Sequence, residues 1–157
     1  MNQKNPFDVK LINPFVNAVV DTFSKMLSLA TTREKLFLDP EGKALKYFTA
    51  QIGLSGEEKK GVVIMTYENE FAYKAAEKFL GMPPDDEEEV MDCLGEIVNI
   101  VSGSAKREFS EQGMPMKLAL PTVTAGAEKV HFGESQPRLA MEFSCELGIF
   151  GLQFQIS

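Results

Sequence analysis

The chain has no tryptophan, one histidine and two cysteines in 157 residues. With His131 as the lone imidazole, there is no histidine pair for shared acid and base work or for a zinc site. Cys93 and Cys145 lie 52 positions apart, which is neither a zinc spacing nor a disulfide framework, so free buried thiols are expected. Long hydrophobic runs are missing as well. Val62-Val63-Ile64-Met65, the most compact, falls far short of the roughly 20 residues that span a bilayer. The opening Met1-Asn2-Gln3-Lys4-Asn5-Pro6 carries no apolar stretch of the signal-peptide kind, so a cytoplasmic protein is expected. Positive charge is in deficit, with 16 Lys+Arg against 23 Asp+Glu and a net charge of −7. A nucleic-acid binder needs a basic face to neutralise phosphates, and an anionic membrane surface makes the same demand. Neither partner is expected.

What remains is the composition of a soluble globular protein, 44% hydrophobic and 25% charged, and its length suits one domain over 1–157. Asn13-Pro14 reads as a helix start, because proline in a first turn loses an N–H that would be unpaired anyway. Phe15, Val16, Val19, Val20, Phe23, Met26 and Leu27 then recur at the spacing of an amphipathic helix. Leu36-Phe37-Leu38 leads into the turn signal Asp39-Pro40-Glu41-Gly42, and strands are expected over Leu45–Leu54 and Gly61–Tyr67. Glu70–Leu80 reads as a second helix, stopped by Gly81 and Pro83-Pro84. The run Asp85-Asp86-Glu87-Glu88-Glu89 fits either an acidic docking patch or a helix N-terminus, where carboxylates offset the macrodipole. The prolines before it and the apolar period after it favour the helix start. A third helix follows from about Asp86 to Gln112, then short strands at Met116–Leu120 and near Val123, and longer ones at Pro137–Glu146 and Ile149–Ile156. The last is apolar enough to be buried or to pair with another copy of the chain. The expected class is α+β, an α/β sandwich with long helices packed on a largely antiparallel sheet.

The chain also repeats itself. Asn17 in Phe15-Val16-Asn17 precedes Asn99 in Ile97-Val98-Asn99 by 82 positions, and Lys35-Leu36-Phe37-Leu38 precedes Lys117-Leu118-Ala119-Leu120 by the same 82. Gly61–Met65 is similar to Gly151–Gln155. Each half reads as a helix plus three strands, giving half-repeats of about 10–67 and 86–157 joined by helix 70–80, related by a pseudo-two-fold.

The third helix carries the polar pattern of interest. At 100° per residue, Val90, Leu94, Ile97, Val98, Val101, Ala105 and Phe109 fall on one core stripe. Asp92, Glu96 and Asn99 lie nearly opposite. Glu96 and Asn99 stand about 60° apart around the axis and ~4.5 Å apart along it, so a carboxylate and a carboxamide are presented side by side. Gly95 and Gly103 bracket the pair, each costing a helix interior about 1 kcal/mol against alanine. Bare backbone there would admit a partner's surface; tight packing inside the domain is the other account, and at Gly103, away from the core stripe, the partner is favoured. Asn99 is itself a poor helix former in mid-helix.

Leu94-Gly95-Glu96-Ile97-Val98-Asn99-Ile100-Val101-Ser102-Gly103 resembles the signature helix of the CheC/CheX/FliY chemotaxis phosphatases, and Ile12-Asn13-Pro14-Phe15 is similar to the CheX N-terminus. The family pattern runs Asp or Ser, three residues, Glu, two residues, Asn, then Pro about 22 residues on. Here Asp92, Glu96, Asn99 and Pro121 occupy it. The resemblance implies a pseudo-symmetric fold and a CheX-like homodimer. CheC-like members carry the Glu/Asn pair in both halves. In this chain Pro14 stands where the first half would place the glutamate, so a single site is implied.

The implied reaction is hydrolysis of the aspartyl phosphate of a phosphorylated CheY-like response regulator. The receiver would supply Mg²⁺, a lysine and backbone donors, so this chain needs no cofactor of its own. Asn99 would orient the attacking water, since a carboxamide both donates and accepts without ionising, and Glu96 would pair with the receiver lysine. Asp92, Gly95 and Gly103 would border the docked partner, although Asp92 is equally well a solvated carboxylate. Two other readings stand beside this one. The helix face could serve a non-catalytic signalling or flagellar-switch interaction module. Alternatively, Asp92, Glu96 and Asn99 could ligate a divalent cation, though three oxygens on one straight helix surround a metal poorly. His131, beside Phe132 and Gly133, reads as a loop or strand-end residue.

Overall fold

Three helices lie on one face of a seven-stranded antiparallel sheet in the computed structural model, which describes residues 8–126 and 138–156. His131 lies outside the described residues. The first helix, α1 (Val9–Leu27), begins earlier than Pro14. The Asp8 side chain accepts the Lys10 N–H at 2.9 Å and supplies the N-cap, while Leu11 and Ile12 are buried and extend the apolar face by a turn. Pro14 is therefore inside the helix, where it forgoes one backbone hydrogen bond. The first turn had to be placed by a cap and a buried face, and the proline is a tolerated interior residue.

Strand β1 (Thr32–Leu38) is followed by a loop and by β2 (Phe48–Ser55). Residues Leu45–Tyr47, expected as strand, belong instead to that loop. The Asp39 carboxylate holds it by accepting the N–H groups of Lys43 and Ala44 at 2.8 and 2.9 Å, together with Nε2 of Gln153 at 2.7 Å. The loop is thereby pinned to the sheet face away from the helices, where the Lys46 N–H donates to Thr66 Oγ1 at 2.6 Å. Next come β3 (Lys60–Tyr67), α2 (Asn69–Leu80) and α3 (Glu87–Glu111). Four strands follow: β4 (Lys117–Leu118), β5 (Thr122–Ala125), β6 (Leu139–Cys145) and β7 (Gly148–Ile156). The expected strand over Met116–Leu120 shrinks to two residues.

The sheet order is β1-β6-β7-β3-β2-β4, with β5 also on β2, and every pairing is antiparallel. This order reads alike from either edge. The β3–β7 pair forms the centre, β2 and β6 flank it, and the strands following α1 and α3 take the two edges. It is the arrangement that two similar halves produce. Strand β7 is paired on both sides, by β6 and by β3, so it is not a free edge for another copy, contrary to one expectation.

Core residues alternate along the strands: Phe48, Ala50, Ile52 and Leu54 of β2, and Phe150, Leu152 and Phe154 of β7, all buried toward the helices. Phe23 of α1 stacks on Phe150 with ring centroids 4.4 Å apart, and Phe15 meets Phe109 of α3 edge-on at 5.4 Å. α1 and α3 thus pack side by side across the middle of the sheet. Among the described residues, no helix is long and apolar enough to cross a membrane.

Candidate functional site: one face of helix α3

The acidic run ahead of α3 works as a helix start. Asp86 Oδ1 accepts the Glu89 N–H, and Glu89 Oε1 accepts the Asp85 N–H, each at 2.9 Å, a reciprocal cap. At the other end, Gly113 takes a left-handed φ of +81°, and the Met114 N–H closes back on the Phe109 carbonyl at 2.9 Å. Between these stops the stripe from Val90 to Phe109 is buried throughout, anchoring the helix on β2 and α1. That anchoring sets what faces outward.

Asp92, Glu96 and Asn99 are all exposed. None of the three makes a hydrogen bond or ion pair among the described residues. A carboxylate and a carboxamide on a rigid, well-capped helix are thus held in position with nothing inside the protein to engage them. Beneath them sits Cys93, whose thiol is pushed up by burial and further by the carboxylates of Glu89, Asp92 and Glu96. A thiol in that setting stays protonated at neutral pH and is no nucleophile. Among the described residues, no group of three or more His, Cys, Asp or Glu side chains is placed to hold a metal ion.

The two bracketing glycines differ. Gly103 is half-buried, and a Cβ built there meets nothing within 4 Å. Gly95 is buried, and its Cβ would touch Val123 Cγ2 at 3.5 Å and Pro121 Cγ at 3.9 Å. Gly95 is not a packing requirement, because a Cβ there would make only ordinary van der Waals contacts with these two side chains. It forms the floor of a shallow hollow of about 550 Å³, walled by Met91, Pro121 and Val123 and edged by Glu88, Asp92 and Glu96.

The far wall of the hollow comes from a β-bulge. The pairing with β2 shifts by one residue between Leu54↔Leu118 and Gln51↔Thr122, so Leu120 and Pro121 together stand opposite Ile52. Proline is suited to a bulge because no ladder hydrogen bond is asked of it. Ala119 N–H to the Gly53 carbonyl, at 3.0 Å, fixes the chain just before it. Pro121 belongs to the signature pattern, yet spacing alone does not reveal that it closes over Gly95. That placement depends on the β2 pairing.

In the first half, Asn17 matches Asn99 by the 82-residue offset, but its amide is engaged. Nδ2 donates to Oε1 of Glu108 on α3 at 3.1 Å, and Pro14 is buried in the helix. The face of α1 therefore offers no free carboxylate–carboxamide pair at these positions.

A family model described as "Chemotaxis phosphatase CheX" matches residues 48–144. No curated protein matches the chain. Among solved structures, a CheC-like superfamily protein from Shewanella sp. PV-4 is 27% identical, with a TM-score of 0.86 over 96% of this chain and 99% of that one. A chemotaxis protein CheX from Desulfovibrio desulfuricans is 25% identical, with a TM-score of 0.86 over 94% of this chain and 99% of that one. The CheX-CheY-BeF3-Mg²⁺ complex from Borrelia burgdorferi contains a chain 23% identical, with a TM-score of 0.80 over 93% of this chain and 97% of that one.

Proposed function

The chain belongs to the CheX family of chemotaxis phosphatases, and from that premise we propose that it hydrolyses the aspartyl phosphate of a CheY-like response regulator. The observation that carries the reading is the pair Glu96 and Asn99, side by side on the exposed face of α3 and without partners among the described residues. The Borrelia protein of the same fold, captured with CheY and Mg²⁺, supports the choice of partner.

Hydrolysis requires a water in line with the phosphorus–oxygen bond that breaks. The water adds to phosphorus, the receiver aspartate recovers its carboxylate, and inorganic phosphate leaves. Little covalent help from this chain is needed, because acyl-phosphate cleavage is chiefly a matter of position and charge. Asn99 holds the water by accepting one of its protons in a hydrogen bond through Oδ1 while its amide N–H₂ remains free to donate toward a phosphoryl oxygen. Glu96, one helical turn away, pairs with the receiver lysine and sets the docking register. Asp92, Gly95 and Gly103 border the contact, Asp92 as a further carboxylate and Gly103 as open space for an approaching surface. Mg²⁺ belongs to the receiver.

In this reading, the domain spans 1–157 with half-repeats of about 10–67 and 86–157, and the protein acts in the cytoplasm as a homodimer with one site per chain. The test follows the decay of phosphorylated receiver with and without the protein. Asn99→Ala is expected to lose the acceleration by about a hundredfold or more, the scale seen when one positioned donor is removed. A folded Asn99→Ala that still accelerates decay defeats the mechanism. A wild-type chain that binds phosphorylated receiver without hastening its decay would instead be a non-catalytic interaction module.

A further inference from the structure

The hollow beside Glu96 has walls and a floor that the hydrolytic reading leaves unused. Its walls, Met91, Pro121 and Val123, are apolar, and its floor is the bare backbone of Gly95, the residue next to Glu96. Its edge carries three carboxylates, Glu88, Asp92 and Glu96, which have no ion-pair partner among the described residues. Next to Pro121 in the bulge, Leu120 is 88% exposed, the most exposed large hydrophobic group among the described residues. An apolar seat ringed by unpaired negative charge, with a large hydrophobic group held out beside it, is complementary to an apolar side chain flanked by a basic one.

We propose that this hollow is a docking pocket for the phosphorylated receiver, seating an apolar side chain that neighbours the receiver lysine paired with Glu96. The inference rests on the hydrolytic reading and extends it from the reacting pair to partner choice. Glu96 then serves two contacts at once, the lysine above it and the edge of the pocket beside it. Pro121 acquires a function: held in a bulge, it walls the pocket over Gly95 without needing an N–H partner. A receiver with a polar residue at that place would leave the apolar walls unfilled, and an acidic one would face like charge from the carboxylates, so either would dock poorly, which makes the pocket a specificity device.

The experiment measures steady-state dephosphorylation of a receiver kept phosphorylated by a small acyl-phosphate donor, with KM and kcat separated. Leu120→Ala removes only an exposed side chain, and Glu88→Gln removes only an edge charge. Each is expected to raise KM about five- to tenfold with kcat within about twofold, the signature of lost docking rather than lost chemistry. Gly95→Leu, which fills the pocket from its floor, is expected to raise KM further, with its fold checked by circular dichroism. If wild type is active and Asn99→Ala is not, yet KM is unchanged in Leu120→Ala and Glu88→Gln, the pocket assignment fails while the hydrolytic reading stands. If Leu120→Asp alters the oligomeric state and leaves KM alone, the pocket seats a second copy of this chain and the proposal is overturned. A wild-type chain without activity removes both.

Discussion

Asn17 of α1 donates Nδ2 to Oε1 of Glu108 on α3 at 3.1 Å, joining two helices from opposite halves of the chain. The asparagine that the repeat aligns with Asn99 has thus become a link between helices, while Asn99 itself is unengaged among the described residues. One half ties the domain together at this position; the other half leaves its polar pair free.

The first prediction contrasts the two asparagines. Asn17→Ala is expected to leave receiver dephosphorylation unchanged and to lower stability by about 1 kcal/mol or less, because the bond it loses is solvent-exposed. Paired with the Asn99→Ala result, urea melts and decay assays on the same preparations check it.

Gly103 yields a prediction of opposite signs. No atom stands within 4 Å of a Cβ there, so Gly103→Ala is expected to stabilise the protein by about 0.5–1 kcal/mol through helix propensity alone. A bulky Gly103→Trp is expected to keep the fold and weaken receiver docking. A midpoint shift in urea and a KM measurement separate the two effects.

Asp39 tests the loop on the far side of the sheet. Its carboxylate accepts two backbone N–H groups and Gln153 Nε2, so Asp39→Ala leaves three donors without their partner. A loss of about 2–4 kcal/mol is expected. Turnover per folded molecule should hold, because the site lies on the other layer; guanidinium melts and an active-fraction assay decide.

Thiol chemistry supplies a pH prediction. Burial raises Cys93, and nearby carboxylates add to it, so its folded-state value lies above the ordinary thiol range near 8.5. The folded state therefore binds the thiol proton more tightly than the unfolded state. Stability from this group is complete below pH of about 8.5 and declines as pH rises beyond it. Iodoacetamide should label Cys93 at neutral pH only as fast as the protein opens, and mass spectrometry after timed exposure would show it.

Much of this was legible in the chain. The period of α3 from Val90 to Phe109 picks out the buried stripe and so the exposed face, because a helix anchored by seven apolar positions has no freedom to turn them elsewhere. Gly81 and Gly113 mark helix ends through left-handed φ values of +78° and +81°, which propensity anticipates. Pro14 points to a later start of α1 than the Asp8 cap sets, since a proline signal is strong and the cap is a single hydrogen bond. What local pattern could not reveal depends on distant pairing. The bulge at Leu120 and Pro121 exists only relative to Ile52, and the hold on the loop at Asp39 depends on Gln153, 114 residues away.

The unengaged state of Glu96 and Asn99 has a consequence for what the cell can safely dissolve in the same compartment. On the proposed reading, the metal, the lysine and the leaving group all arrive with the other molecule. Small acyl phosphates diffusing past α3 bring none of that apparatus and meet only half a catalyst. Selectivity then comes from assembly: the reaction exists only at the seam between two proteins, and it ceases when they part.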